Sequence, residues 1–306
     1  MSYILKVENV VKSYNGNPAL RGVDLHVREG SCFGLLGPNG AGKSTMMKIM
    51  TGILTPDQGE IELFGKSIRK ESAAISRQVG YVPQEITLYE KLSAWQNLTF
   101  FGKMYGVRGE KLKERMKRVL GQVGLLERAG DAVGSYSGGM KRRINIAASL
   151  LHEPKLVILD EPTVGIDPQS RNHIFEMIRG LQRDGVTVIY STHYMEEVEA
   201  LCDEVAIIDH GAIVSQGGLR ELLELHAIKA VYIETEGMVA APSINGASHV
   251  RQEGAGWIVE CERPMEMLGQ LSRQYASSGR AVRALELMKP SLDSVFLKLT
   301  GTKLRD

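Results

Sequence analysis

Short apolar segments alternate with helical patterns along about the first 225 residues of the chain. Three of them, residues 31–37, 155–160 and 187–192, are almost continuously apolar and carry polar residues directly after them. Continuous apolar runs of this length are typical of parallel strands that are covered on both faces. The pattern therefore predicts an α/β domain with a buried, largely parallel sheet.

Two other segments of this region predict different structures. Residues 205–217 read as two strand-like runs on either side of His210 and Gly211, which predicts a hairpin with its turn at that pair. Residues 108–128 are rich in Lys, Arg and Glu and predict an exposed helix.

The pattern changes near residue 226. Residues 231–306 hold short strand-like pieces and two helical patterns, and Ser291 is a suitable cap for the second of these. We therefore predict two domains: residues 1–225, and a small α+β domain at residues 226–306.

Composition narrows the class of protein. The chain has 306 residues, of which 43% are hydrophobic and 24% charged, and its net charge of +1 argues against a strongly basic nucleic-acid binder. No apolar run approaches the ~18 residues of a membrane span, and the charged N-terminal segment does not resemble a signal peptide. Cys32, Cys202 and Cys261 fit no zinc spacing, so we expect three buried thiols in a reducing compartment.

A phosphate-binding loop follows the first apolar run. Residues 37–45, GPNGAGKST, match G-x-x-x-x-G-K-[ST] and precede a helical pattern, which is the context that this motif requires. Glycines let backbone N–H groups surround phosphates, Lys43 can reach the β- and γ-phosphates, and Ser44 can hold Mg²⁺. The alternative, a merely flexible glycine turn, would not explain the strand and helix on either side.

Polar residues also end the other two apolar runs. Asp160 and Glu161 follow residues 155–159, and His193 follows residues 187–192. In phosphate-loop enzymes an Asp after a strand holds magnesium, which leaves Glu161 to polarise a water molecule. Glu161 as a simple turn cap and His193 as an ordinary buried histidine remain alternatives. The position of these residues at the ends of predicted parallel strands favours a functional role, because ligands bind at the carboxyl ends of the strands in open α/β sheets.

At this point the chain resembles the ATP-binding cassette (ABC) ATPases over about residues 3–225. The features of that family occur in its order: an early aromatic (Tyr14), the phosphate loop (37–45), a glutamine (Gln84), an SGG signature (137–139), the acidic pair (160–161), Asp167 and His193. The resemblance implies a P-loop ABC ATPase core with a mixed sheet and a helical subdomain at about residues 85–150.

The resemblance also implies a set of site residues. Glu161, His193 and Gln84 would be catalytic, and Mg²⁺ would be held by Ser44, Gln84 and Asp160. ATP would be contacted by Tyr14, Gly37, Pro38, Asn39, Gly40, Ala41, Gly42, Lys43, Ser44, Thr45, Ser137, Gly138, Gly139 and Asp167.

The signature, YSGGM at residues 136–140, and the final SLDSVFLKLTG are typical of the ATPase subunits of ABC-2-type transporters. That subgroup implies an exporter of drugs, lipids, polysaccharides or ions, whose membrane permease is a separate chain. The ATPase would lie at the cytoplasmic face of the membrane and act without nucleic acid. Met140 and Tyr136 depart from the commoner LSGGQ, but Ser137, Gly138 and Gly139 are kept.

The segment after the signature predicts a helix with one apolar stripe that includes Met140, Ile144 and Ala147. Its N-terminus, with Ser137 and two glycines, is a second anion-binding element. The resemblance implies that this element caps the nucleotide of a second subunit, so that two ATP molecules lie between two copies of the chain.

Two other functions compete with a transporter ATPase. A soluble ABC ATPase acting on ribosomes or DNA would carry two cassettes or a long coiled coil, whereas the interval 45–159 shows no sustained heptads. A P-loop kinase of a small molecule would not explain the SGG signature.

Overall fold

The three apolar runs form adjacent, fully buried parallel strands in the computed structural model, which describes residues 2–237, 240–277 and 281–301. These residues divide into two compact units, the first through Leu219 and the second from Arg220. This division lies a few residues before the predicted one, because the helix Leu219–His226 groups almost entirely with the second unit.

The first unit alternates strands and helices. Its elements in chain order are β1 (Tyr3–Tyr14), β2 (Asn17–Arg28), β3 (Cys32–Leu36), α1 (Lys43–Met50), β4 (Gln58–Leu63), β5 (Lys66–Ser67), α2 (Ile68–Ser76), β6 (Val79–Val82), α3 (Ala94–Met104), α4 (Gly109–Gln122), α5 (Gly138–Leu150), β7 (Leu156–Asp160), α6 (Pro168–Arg183), β8 (Thr187–Thr192), α7 (Met195–Leu201), β9 (Glu204–Asp209) and β10 (Ala212–Gly218). A short 3₁₀ turn, Val133–Ser135, precedes α5.

The main sheet has the strand order β10-β9-β3-β8-β7-β6. Its strands are parallel except for β10, which pairs with β9 in antiparallel fashion through the predicted turn. His210 and Gly211 have φ values of 46° and 80°, as a two-residue hairpin turn requires. The predictions of a hairpin and of a mixed sheet are both confirmed.

A second, antiparallel sheet with the order β2-β1-β4-β5 was not predicted from the sequence. Its long strands β1 and β2 contain several register shifts, and Asn9 within β1 has a φ of 47°, so the regular alternation of apolar residues is broken. One apolar core joins this sheet to α1 and the main sheet, with Leu5, Met47 and Ile158 among its fully buried members.

Two helix predictions need correction. The helix predicted as exposed over residues 108–128 is shorter, and its apolar face, including Met116 and Val119, is buried. In α5 the expected single apolar stripe is wrong, because every residue from Ile144 to Leu150 is buried, whereas Met140 is only partly covered. Both errors arise because other elements of the unit cover these helices.

The described part of the second unit is an α+β arrangement, as predicted. It consists of α8 (Leu219–His226), β11 (Ala230–Thr235), β12 (Ala247–Glu253), β13 (Gly256–Cys261), α9 (Pro264–Ala276), β14 (Val282–Leu287) and α10 (Leu292–Thr300). The strands form an antiparallel sheet in the order β12-β13-β11-β14, and α9 covers it with Met267 and Leu271. Ser291 caps α10 as predicted, since its side chain accepts a hydrogen bond from the Ser294 amide.

Cys32, Cys202 and Cys261 are free and buried, which confirms the expectation of three buried thiols. None of the helices in the described ranges combines the length and the apolar character that crossing a bilayer demands.

Candidate functional site

The glycine-rich loop after β3 folds around the ammonium group of Lys43. Lys43, the first residue of α1, donates hydrogen bonds to the carbonyl oxygens of Gly37 (2.8 Å) and Pro38 (3.1 Å). Gly42 has a φ of 107°, and a Cβ there would come within 2.7 Å of the Ala19 carbonyl oxygen. Glycine is therefore required at this position, and the loop leads directly into the N-terminus of α1, where backbone N–H groups and the helix dipole favour an anion.

Asp160 and Glu161 lie at the end of β7, and Ser191 of β8 forms hydrogen bonds with both. Ser191 Oγ donates to Asp160 Oδ1 at 2.7 Å and accepts from the backbone N–H of Glu161 at 3.0 Å. The two acidic residues are only 2% and 5% exposed, and Glu161 has a φ of 46°. A left-handed backbone at a buried, non-glycine residue is uncommon, and such residues cluster at functional sites.

Three predicted site residues converge on the carboxylate of Glu161. Lys43 Nζ lies 3.0 Å from Glu161 Oε1, and Gln84 Nε2 donates to Glu161 Oε2 at 3.4 Å. His193 Nδ1 lies 3.5 Å from Oε1 without forming a hydrogen bond. These residues follow β3, β6 and β8, so the site lies at the carboxyl ends of the parallel strands, as the sequence predicted. Glu161 is therefore not a simple turn cap.

A cavity of about 320 Å³ opens in front of this group. Tyr14 stands at its rim with its ring 46% exposed, and Lys12 Nζ lies 5.9 Å from the ring centroid. The lining residues, which add Ala19 to the predicted set, are Tyr14, Ala19, Asn39, Gly40, Gly42, Lys43, Ser44, Thr45, Gln84 and Glu161. The volume is at the lower end for a small-molecule pocket, and its wall combines an aromatic ring with an anion-binding loop.

The predicted magnesium ligands are partly at this cavity. Ser44 and Gln84 line it, and Asp160 lies directly before Glu161 with Ser191 bonded to one of its oxygens. Within the described residues there is no group of three or more His, Cys, Asp or Glu side chains that could hold a metal ion. These few oxygen ligands suit Mg²⁺, which keeps waters and binds phosphates rather than an all-protein cage.

The second predicted phosphate element lies at the start of α5 and does not line that cavity. Ser137 caps the helix by accepting from the Met140 amide at 3.3 Å, and Ser137 and Gly138 are exposed. Gly139 is buried against Ser170 and Asp167 at the start of α6. Asp167 accepts from the Ser170 amide at 2.9 Å, and this backbone hydrogen bond lowers the pKa of the Asp167 carboxyl. One chain therefore carries two separate helix starts that are predicted to bind anions.

Sequence reasoning missed two residues that tie α5 to the segment after β6. Arg142 donates to the Pro83 carbonyl oxygen at 2.8 Å and also to that of Gln84, and Asn145 Oδ1 accepts from Thr87 Oγ1 at 3.0 Å. Burial lowers the pKa of the Arg142 guanidinium, and the residue is 4% exposed. Arg142 lies in the basic run KRR, which gives no sequence signal of burial.

Known proteins resemble the chain over nearly its whole length. The family model described as ABC transporter matches residues 20–164. The linearmycin resistance ATP-binding protein LnrL of Bacillus subtilis is 42% identical and covers 99% of this chain and 100% of the relative. The Nod factor export ATP-binding protein I of Ralstonia nicotianae is 37% identical, with 99% and 95% covered, and the daunorubicin/doxorubicin resistance protein DrrA of Streptomyces peucetius is 35% identical, with 97% and 92% covered.

Solved structures agree with these relatives. CbiO1 of Clostridium perfringens, part of the ABC transporter complex cbiONQ, has a TM-score of 0.67 at 32% identity and covers 74% of this chain and 92% of its own. The ATP-binding cassette MJ0796, solved as a dimer in a post-hydrolysis state with ADP and Pi, has a TM-score of 0.66 at 27% identity, with 71% and 99% covered. The chain therefore belongs to the ABC transporter family, as an ATP-hydrolysing subunit of a transporter.

Proposed function

We propose that this chain drives an exporter by ATP hydrolysis at the site around Glu161 and that the membrane permease is a separate chain. The observation that carries the proposal is the convergence of Lys43 and Gln84 on the buried carboxylate of Glu161, with His193 beside it. A carboxylate placed between a phosphate-binding lysine and two polarisable side chains suits a general base for water. His193 would help to position that water and contact the γ-phosphate.

The cavity supports an assignment of the nucleotide contacts. Tyr14 would stack on adenine, and the residues of the loop 37–45 would bind the phosphates through backbone N–H groups and Lys43. Ser44, Gln84 and Asp160 would hold Mg²⁺, which neutralises charge on the phosphates when bound. The protein's own part is to bind and orient, and to accept a proton at Glu161.

The face around Ser137 and Gly138 supports a dimer of two ATPase subunits. A Cβ at Gly138 would meet no atom within 4 Å, so this helix start is open to an approaching molecule. The phosphate loop binds its own nucleotide, so the second element is free to cap the nucleotide of another subunit, with Asp167 at the junction. The dimeric state of MJ0796 with ADP and Pi is in line with this arrangement. We propose a homodimer.

An exposed aromatic cluster supports a permease-docking surface on the helical subdomain. Tyr89 and Phe100 are 51% and 40% exposed, and their ring centroids lie 5.1 Å apart in a T-shaped contact. Phe101 packs edge-on against Phe100 at 5.4 Å. Of the other rings in this part of the chain, Trp95 is half-buried and Tyr105 stacks on His152 at 3.8 Å. The surface would bind a cytoplasmic helix of the permease and so place the chain at the cytoplasmic face of the membrane.

Export is favoured over import by the relatives. The names of the three relatives concern resistance to linearmycin, export of Nod factor and resistance to daunorubicin and doxorubicin. One of these names states export, and the other two state resistance to a named compound. We propose an organic compound of this kind as cargo for the complex.

The decisive experiment is co-expression of this chain with a candidate membrane permease chosen from the genes that neighbour its own. We expect the two proteins to co-purify, ATP hydrolysis to depend on Glu161, and substitution of Tyr89 and Phe100 by Ser to release the permease without lowering ATP affinity. Ser substitution of the exposed Tyr3, which lies on β1 outside the cluster, is the matched control. Co-sedimentation with ribosomes or DNA in place of the permease would support the soluble alternative.

A further inference from the structure

A buried glutamate on α7 is surrounded by hydroxyl groups from the site's strand ends. Glu197 is 2% exposed, and its Oε2 accepts hydrogen bonds from Thr192 Oγ1 (2.8 Å), Thr163 Oγ1 (2.9 Å) and the Tyr190 hydroxyl (2.9 Å). Its Oε1 is buried and has no hydrogen-bond partner. Within the described ranges no lysine, arginine or histidine forms an ion pair with it. Three donors on one oxygen make this carboxylate the centre of a polar cluster inside the core.

The donors come from both segments that carry the proposed catalytic groups. Thr163 lies two residues after Glu161, on the loop that leads to Asp167. Thr192 is the last residue of β8 and directly precedes His193. Thr192 Oγ1 also accepts from the backbone N–H of Tyr194 at 2.9 Å, so Thr192 fixes the peptide group that follows His193. Glu197 therefore bonds to both segments from a third element, α7.

Tyr190 completes the cluster as a donor. Burial and the nearby Glu197 raise the pKa of the Tyr190 phenol well above its usual value, so it stays protonated. Its hydroxyl also lies 3.1 Å from Thr163 Oγ1. The hydroxyl groups therefore all need an acceptor in this interior, and Glu197 Oε2 supplies it.

We propose that Glu197 is a positioning residue for ATP hydrolysis, which fixes the distance between Glu161 and His193 by bonding to Thr163 and Thr192. The inference rests on the proposed function, because it takes Glu161 and His193 as the groups that act on water. Glu197 does not reach the cavity of the phosphate loop, whose lining does not include it. Its effect falls on turnover and not on ATP affinity.

The test compares variants of the full chain by kcat and by KM for ATP. Glu197→Gln keeps the shape but replaces a charged acceptor of three hydrogen bonds with a neutral amide oxygen, whose hydrogen bonds are roughly half as strong. We expect kcat to fall about 10–100-fold, the range found for side chains that orient metal ligands, with KM nearly unchanged. Thr192→Val should lower kcat in the same way, and Thr192→Ser, which restores the hydroxyl, should recover most of it. These Thr192 variants test the positioning role even if the Glu197 variant does not fold.

The matched control is Glu204→Gln, since Glu204 is also a buried glutamate (6% exposed) but pairs with Arg28, away from the site. An equal loss of kcat in this control, or no recovery with Thr192→Ser, would show a merely structural role and overturn the inference. Wild-type kcat in Glu197→Gln would also overturn it. Glu161→Gln is measured beside them: if that variant keeps its turnover, the proposed role of Glu161 fails as well, which separates the two proposals.

Discussion

Gly139 lies so close to Ser170 that a Cβ on Gly139 would overlap the Ser170 side chain, whereas Gly138 faces open space. The presence of glycine at the two positions of the signature therefore has two different physical explanations. Gly139 permits α5 to pack against the start of α6, next to the capping carboxylate of Asp167. A Cβ at Gly138 would meet none of the described residues, which is in line with the proposed approach of a second subunit.

Alanine substitutions should separate these causes. Gly139→Ala should destabilise the first unit by about 1–3 kcal/mol, the usual cost of overpacking, because Ser170 has to move. Gly138→Ala should leave stability unchanged or raise it by up to about 1 kcal/mol, since alanine favours a helix, but should lower ATPase activity by crowding the partner's nucleotide. Urea unfolding and steady-state ATPase measurements check both. Equal destabilisation by the two substitutions would contradict this assignment.

A bulky charge at the signature should block dimer formation without unfolding the chain. Ser137→Arg replaces an exposed cap residue, so the fold and ATP binding at the phosphate loop should persist. ATPase activity should be lost because two subunits can no longer enclose the nucleotides. Dimer formation is measured by analytical ultracentrifugation in the presence of ATP, in a background variant that does not hydrolyse ATP. Ser72→Arg, at an exposed position on α2, is the control and should behave like wild type.

Glu161→Gln should separate binding from turnover. The amide keeps a hydrogen-bonding group near Lys43 and Gln84 but cannot accept a proton, so turnover should fall about 10²–10⁴-fold. ATP affinity should remain, and the variant should accumulate as an ATP-bound dimer. Fluorescent-nucleotide binding and single-turnover hydrolysis provide the two measurements. Hydrolysis at the wild-type rate would remove Glu161 as the base.

Lys43→Ala, in contrast, should impair ATP binding itself. The substitution removes the proposed phosphate contact, and it leaves the carboxylate of Glu161 buried without its nearest cation. Breaking a buried ion pair of this kind costs about 3 kcal/mol or more. We expect a lower urea midpoint together with loss of ATP affinity, measured by calorimetry. Lys48→Ala, on the same helix but outside the cavity, should change neither property strongly.

The sequence predicted the strands and groups that depend on local patterns. β3, β7 and β8 were recognisable because they are almost continuously apolar, and the positions of Asp160 and His193 followed from the strand ends. The antiparallel sheet was not recognisable, since register shifts and the positive φ of Asn9 break the alternation of apolar and polar residues along its strands.

The contacts of buried charged residues could not be predicted from the local sequence pattern. Arg142 looks like part of a solvated basic run, and Glu197 looks like one of several acidic residues on an exposed helix. Their burial depends on which distant segments lie above them: Pro83 and Gln84 for Arg142, and Thr163 for Glu197. A sequence hint for Glu197 was its place four residues before Leu201, since residues four apart share one face of a helix, here the buried face of α7.

His152 should make the first unit less stable at mildly acidic pH. Burial lowers the pKa of its imidazole, although the Val79 carbonyl oxygen, 3.0 Å from Nε2, opposes the shift. The unfolded chain therefore binds a proton first: stability is full above pH of about 6.5 and is lost as pH falls from there towards the lowered folded pKa. His152→Gln keeps a donor for Val79 but does not titrate, so its urea midpoint should fall less between pH of about 7.5 and 5. His173→Gln, at an exposed position on α6, should keep the wild-type slope, and an equal slope in all three proteins would contradict the role of His152.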